Sequence, residues 1–312
     1  MTVSIMIPVY NREDCIGACI ESALKQTYAD IEVIVLDNAS SDGTWDICRQ
    51  YAAQDARVRV FRNERNVGPV RNWLACLDRA EGEFGKLLFS DDVMRPDCLE
   101  LCMPMFADDV GFVFSQVMLG ETPWHGSGAC AWQSDTGIFA ASDFIRASLF
   151  SDHPVPVSPC AAVFRLRDIR NALETPIDIP GIKDFLDYGA GPDLFIYLAS
   201  AASYAKVGYR AEMLTFFREH ANSISTRHGD IVPERYAQTR MFFAGERMGF
   251  GMFRQVLMLE WLTAMKRRRT LLVFADFQRH NCNVRHRASF NLAAFAAACF
   301  RLMRNVIKGR LA

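Results

Sequence analysis

A chain of 312 residues, half of them apolar and 23% charged, can bury a full core, which excludes a disordered or low-complexity protein. The formal net charge of −1 conceals two unlike parts: residues 1–229 carry 20 Lys/Arg against 31 Asp/Glu, and residues 230–312 carry 15 against 5. The longest apolar run, 292–300, is nine residues, where a bilayer crossing takes about 20, so the sequence argues against an integral membrane protein.

The first residues show neither a basic n-region nor a cleavage pattern, and no secretory signal is expected. Ten cysteines form no CxxC pair. Cys15/Cys19 and Cys98/Cys102 sit four apart on helix-like stretches, as small core residues do. This favours a reducing cytoplasm over a disulfide framework and leaves a structural zinc without its usual ligand spacing.

Residues 3–9 open the chain as a compact apolar run, a buried strand. Residues 14–26 place Cys15, Ile16, Cys19, Ile20, Ala23 and Leu24 on one helical face. A β-branched strand at 31–36 and a helix at 44–54 follow, then a strand at 58–61 and a helix at 70–79. A fourth strand at 84–89, a helix at 97–106 and a fifth strand at 110–115 complete the series. Continuous apolar strands alternating with helices predict a mostly parallel sheet covered on both faces. Residues 120–137 lack periodicity and read as an exposed loop or irregular hairpin. A short strand at 161–164 leads into a helix, and the Pro- and Gly-rich stretch 176–192 reads as a mobile loop. A helix at 194–202 and a strand at 213–217 come next, and from Pro233 the pattern is nearly all helical.

In an open parallel sheet, ligands bind beyond the carboxyl ends of the strands. Here those ends carry polar clusters: Pro8-Val9-Tyr10-Asn11, the 37–44 segment from Asp37 to Thr44, Asn66-Val67-Gly68 with Arg71 in the next helix, and Ser90-Asp91-Asp92. Adjacent carboxylates at a strand end point to different sides, so one could take a ribose and the other a divalent ion. Magnesium needs only one or two carboxylates where a diphosphate supplies the other oxygens; an acidic helix start is the plainer reading of the pair. Asp37 could accept from a base or ribose, or serve as a turn residue. Asn66, Gly68 and Arg71 could approach the base or diphosphate, or belong to a helix start with a surface arginine. No GxGxxG follows the first strand and no GxxxxGK[ST] occurs, so a dinucleotide-binding dehydrogenase and a P-loop protein lose support.

The order and spacing of Ile7-Pro8-Val9-Tyr10-Asn11, Asp37 to Thr44, Asn66-Val67-Gly68 and Phe89-Ser90-Asp91-Asp92 resemble family 2 of the inverting glycosyltransferases. The resemblance is strong over residues 3–107 and returns at Gly191-Pro192-Asp193 and at 218–225. It implies an α/β nucleotide-sugar-binding fold of the GT-A type, a mostly parallel central sheet with helices on both faces and here a helical C-terminal extension. It also implies a nucleotide diphosphate sugar donor, usually of uridine or thymidine. By this resemblance Pro8, Tyr10, Asn11 and Asp37 line the nucleoside pocket, with Asn66, Gly68, Arg71 and Arg218 also on the donor. Asp91 contacts the ribose, and Asp92 holds Mg²⁺ or Mn²⁺ with His220. Ser90 stands where many members have the first Asp of an Asp-x-Asp motif, so the ligand assignment departs from the common pattern. Asp193, after a Gly/Pro loop, aligns with the catalytic base; its plainer role is a helix N-cap.

The expected organisation is a catalytic unit at 1–229, with a nucleotide-sugar half at 1–115 and an acceptor half at 116–229, followed by a basic helical region at 230–312. Lys266 to Arg269 form a cationic run. A helix at 290–307 gathers Leu292, Phe295, Ala296, Cys299, Leu302, Met303, Val306 and Ile307 on one side, with Arg301, Arg304, Lys308 and Arg310 beside it. Such a helix can lie on an anionic membrane or pack on the body or on a second subunit. No nucleic-acid reader motif is present. The expected protein is cytoplasmic, peripheral at the inner membrane face, and uses a glycan or lipid-linked glycan acceptor. A nucleotidyltransferase and a non-catalytic nucleotide-sugar-binding protein are the rival readings.

Overall fold

The structure, a computed structural model, describes residues 1–126, 128–150, 155–220, 223, 231–269 and 271–308. Its order begins β1 (Val3–Val9), α1 (Ile16–Leu24), β2 (Ile31–Asp37), α2 (Thr44–Gln54), β3 (Val58–Arg62), α3 (Pro69–Leu77) and β4 (Phe84–Leu87). Strands β3, β2, β1 and β4 lie side by side in parallel, with Val9 opposite Asp37 and Asp37 opposite Arg62. Every residue of β1 is buried, as a strand covered by helices on both faces requires. The alternating first part is therefore as the apolar runs predict.

The second half of the sheet is antiparallel at its seam. After β5 (Val93–Met94) and α4 (Cys98–Cys102) come β6 (Val110–Gly120), β7 (Gly128–Cys130), β8 (Gly137–Ala140) and α5 (Ala141–Phe150). Then β9 (Ala162–Arg165) inserts between β4 and β6, antiparallel to both. Helices α6 (Leu166–Glu174) and α7 (Pro192–Ala202) follow, and β10 (Lys206–Arg218) pairs along β6 in parallel and on its far side with β8 and β5. The full path is β3-β2-β1-β4-β9-β6-β10-β5. β10 is far longer than the strand expected at 213–217. Its register against β6 shifts three times, and such bulges break the period-two pattern that sequence reading relies on.

Among the described residues, four helices close the chain: α8 (Val232–Arg247), α9 (Phe250–Arg268), α10 (Phe274–Asn281) and α11 (Leu292–Lys308). They are not a detached tail. One apolar cluster runs from Met6 and Leu36 in the sheet through Phe195 of α7 to Phe243 of α8 and Val256 of α9. Inside it, the Arg240–Glu260 pair joins α8 to α9 at 2.5 Å. No helix among the described residues is long and apolar enough to cross a membrane.

Candidate active site

A cavity of about 450 Å³ opens over the carboxyl ends of β1, β2 and β4, bounded on its far side by the start of α7 and by α8. Of the residues singled out from sequence, Pro8, Tyr10, Asn66, Asp91, Asp92, Asp193 and Arg218 line it. Asn11, Asp37, Gly68, Arg71 and His220 do not line it.

Those five have visible employment. Asp37, wholly buried at the end of β2, accepts from the Ser40 amide at 3.1 and 3.2 Å, from the Ser40 hydroxyl, and from Arg62 Nε at 3.0 Å. It closes the turn that carries Asn38, and it is Asn38 that reaches the cavity. Asn11 has a φ of 50° and takes the Ser41 amide on Oδ1 at 2.9 Å, tying the end of β1 to the same turn. Gly68, at φ 87°, sits at the N-cap of α3, a conformation that glycine adopts without a Cβ penalty. Arg71 turns away to the carboxylates of Asp184 and Asp187, pinning part of the stretch expected to be mobile.

Asparagines shape the nucleoside side. Asn38 Nδ2 donates to Asn66 Oδ1 at 2.9 Å and to the Gly68 carbonyl at 3.2 Å, while its Oδ1 accepts from the Val67 amide and from Asn63 Nδ2. Asn72 Nδ2 ties α3 to the Leu36 carbonyl. Because each amide both donates and accepts, the network fixes the end of β2, the 63–68 loop and α3 as one rim. Below that rim, Trp73 and Phe89 face each other with ring centroids 5.2 Å apart. Gly189 lies so close to Trp73 that a Cβ would sit 3.3 Å from the ring.

The acidic corner follows β4. Asp91 meets His220 Nε2 at 2.9 Å and Arg12 Nε at 3.6 Å. Asp92 is buried; its Oδ1 accepts the Arg218 amide at 3.0 Å, and Arg218 Nε donates to the Asp91 carbonyl at 3.1 Å. Burial first, and then the Asp91 charge, push the Asp92 carboxyl well above the usual carboxylate range. A carboxylate dehydrated beside a like charge is a position that a cation would relieve, so the corner fits a divalent ion. Among the described residues, however, no three His, Cys, Asp or Glu side chains converge as ligands. His220 is directed at Asp91 rather than Asp92. The remaining ligands would have to be substrate oxygens and water. The 221–222 and 224–225 positions of the 218–225 motif lie outside the described residues.

Across the cavity, Asp193 is the second residue of α7. Its Oδ1 accepts the amides of Gly191 at 2.8 Å and Leu194 at 2.7 Å, and its Oδ2 accepts the Tyr236 hydroxyl at 2.6 Å. Full burial raises its pKa to about 7 against the lowering effect of those three donors. A carboxyl with that pKa takes up and releases its proton near neutrality. Sequence reading missed Tyr236, which lies 43 residues from Asp193 and belongs to no motif. It also missed Arg12, Asn38 and Trp73; their places inside the polar clusters and first helices were the only signals.

The fold is of the GT-A class, with an acidic corner and a buried carboxylate lining one cleft. The chain belongs to glycosyl transferase family 2, which it matches over residues 4–165. It is 41% identical over 90 residues to the UDP-Glc:alpha-D-GlcNAc-diphosphoundecaprenol beta-1,3-glucosyltransferase WfaP of Escherichia coli, 29% of this chain and 35% of that protein. The match spans between 11% and 39% of the length of such curated relatives. Among solved structures it resembles S. aureus TarS 1–349 in complex with UDP-GlcNAc, with a TM-score of 0.58, 17% identity, and coverage of 96% of this chain and 72% of that one. The mannosyltransferase PcManGT of Pyrobaculum calidifontis, in complex with GDP-Man and Mn²⁺, aligns at a TM-score of 0.50 and 15% identity over 98% of this chain and 75% of that one.

Proposed function

We propose that this protein is an inverting glycosyltransferase that moves a sugar from a nucleotide diphosphate donor, a UDP-sugar in the first instance, to a hydroxyl of a glycan or lipid-linked glycan in bacterial surface polysaccharide synthesis. The observation that carries this reading is the pairing across one cavity of Asp92, in the acidic corner, with Asp193, held near neutral pKa at the start of α7. The diphosphoundecaprenol in the name of the Escherichia coli relative supports a lipid-linked acceptor, and the UDP-GlcNAc bound by the S. aureus neighbour supports a UDP-sugar.

Asp92, with His220 beside the corner, would hold Mg²⁺ or Mn²⁺ together with the donor's diphosphate, and Asp91 would contact the ribose. When bound, that ion neutralises the charge developing on the leaving diphosphate. Asn38, Asn66 and Tyr10 provide the polar and aromatic contacts for the nucleoside. The acceptor hydroxyl attacks the anomeric carbon from the Asp193 side, and Asp193 takes its proton. The two amides fix Oδ1, so the carboxylate does not turn as the proton arrives. The Tyr236 hydroxyl on Oδ2 stabilises the charged form that begins the cycle.

Asp193→Asn tests the assignment. Transfer falls by about 10²–10⁴-fold, while titration with a UDP-sugar and Mn²⁺ gives donor affinity near that of the unaltered protein. Near-normal turnover in the variant would overturn the base. Release of pyrophosphate rather than nucleoside diphosphate would favour the nucleotidyltransferase alternative.

A further inference from the structure

The last helix was expected to gather its apolar residues on one side, against a membrane, the body or a second subunit. Its apolar side chains instead face two ways. Phe295 and Leu302 pack on the core with buried Ala294 and Ala298, while Leu292, Phe300 and Met303 are exposed. Exposed apolar side chains also cluster at the end of the helical layer. Leu271 is 93% exposed, Leu292 73%, Val273 65% and Phe290 50%. The linker between α9 and α10 carries Leu271 and Val273, the linker before α11 carries Phe290, and Leu292 is the first residue of α11. An aromatic knot holds those linkers side by side: Trp261 stands 5.1 Å from Phe274 and 6.3 Å from Phe290, and Phe274 stands 6.0 Å from Phe290, by ring centroids. Trp261 Nε1 also donates to the Leu272 carbonyl at 2.8 Å. Large side chains fixed in water on a braced scaffold mark a contact surface.

Directly beside this ridge, the last turn of α9 and its cap present Lys266, Arg267, Arg268 and Arg269. Arg268 pairs with Glu234 at 3.0 Å; Lys266, Arg267 and Arg269 have no acidic partner within ion-pair reach among the described residues. An apolar ridge bordered by uncompensated cations matches the two layers of an anionic bilayer surface, acyl boundary and headgroup. The same cations lead to the active site. Arg267 and Arg268 line a second cavity of about 370 Å³, and its wall shares Val232 and Tyr236 with the first. Tyr236 is the residue bonded to Asp193.

We propose that the chain docks on an anionic lipid surface through Leu271, Val273, Phe290 and Leu292, with Lys266, Arg267 and Arg269 on the headgroups. A lipid-borne acceptor is thereby presented on the Tyr236 side of the base. This rests on the glycosyltransferase reading only for the acceptor; the docking stands on the surface itself.

The full chain is co-sedimented with vesicles of phosphatidylcholine alone and of phosphatidylcholine mixed with phosphatidylglycerol, without donor. Binding is expected to be much stronger to the anionic vesicles than to the neutral ones. Each of Lys266→Gln, Arg267→Gln and Arg269→Gln weakens it about fivefold. Leu271→Asp, at a position too exposed to disturb folding, and Leu271→Asp with Leu292→Asp remove the part that survives high salt. Donor hydrolysis in vesicle-free buffer stays unchanged in Lys266→Gln, Arg269→Gln and the Leu271 and Leu292 variants, so loss of docking and failure of the transferase reading are told apart. Equal binding to both vesicle types, or apolar variants that sediment like the unaltered chain, would overturn the proposal. So would a dimer in solution that Leu271→Asp dissolves, because a second copy would then be the occupant.

Discussion

Among the described residues, Oδ2 of Asp193 has a single donor, the Tyr236 hydroxyl at 2.6 Å, whereas Oδ1 has two amides. The tyrosine therefore sets the proton affinity of the more adjustable oxygen. Its hydrogen bond lowers the carboxyl pKa against the burial that raises it to about 7. Tyr236→Phe removes only that donor. The acid limb of the kcat profile, which rises as Asp193 loses its proton, is expected to move to higher pH, with the alkaline plateau little reduced. An unmoved limb would mean that a different group is titrating. Stability gives an independent reading of the same shift. A carboxyl raised from 3.8 to about 7 binds its proton more tightly when folded, so the fold is unaffected below pH 4 and weakens as pH climbs toward 7. Above that the penalty is full, on the order of 4 kcal/mol. Asp193→Asn removes the charge and keeps the amide bonds on Oδ1. Scanning calorimetry should find this inactive variant more stable than the unaltered protein at pH 8 and no more stable at pH 4.

The start of α7 shows how an element is made to serve one side chain. Gly191 has a φ of 107°, which allows its amide to fold back on Asp193. A Cβ there would come within 3.0 Å of Thr239 Oγ1 and 3.2 Å of the Phe185 ring. Gly191→Ala thus meets both backbone strain and a closed space. It should destabilise by about 1–3 kcal/mol and lower single-turnover rates with UDP-sugar affinity preserved, because the acidic corner lies on other elements. The legibility of the sequence divides along similar lines. The expected strand at 3–9 and helix at 44–54 coincide with β1 and α2, because uninterrupted burial and a clear helical period report themselves. α5 was not expected, and the first half of β10 was hidden by its polar and bulged residues. At the site, the strand-end rule located the rim but not which neighbour faces inward. Asn38 rather than Asp37 lines the cavity, because Arg62 and the Ser40 turn hold the buried carboxylate. Contacts from a remote helix, such as Tyr236, leave no trace in local pattern.

At the scale of the whole molecule, the charge asymmetry that divides the chain at residue 230 is not matched by the packing. Phe195 of α7 lies 6.1 Å from Phe242 and 6.5 Å from Phe243 of α8 by ring centroids, and Thr239 closes over Gly191. Helices α8 and α9 therefore complete the core beneath the base as well as supply Tyr236. A chain cut to residues 1–229 would expose Phe185, Phe195 and their neighbours as one apolar face, which water does not tolerate on a monomer. It should lack a cooperative thermal transition and aggregate at concentrations where the full chain is monodisperse by light scattering. Adding the 230–312 segment in trans should recover solubility only if the two pieces assemble. A soluble 1–229 fragment with a sharp transition would show that the acidic body folds alone, and that the basic helices are an addition to a finished domain. The continuity of the core from β1 through α7 to α9 argues that they are part of it.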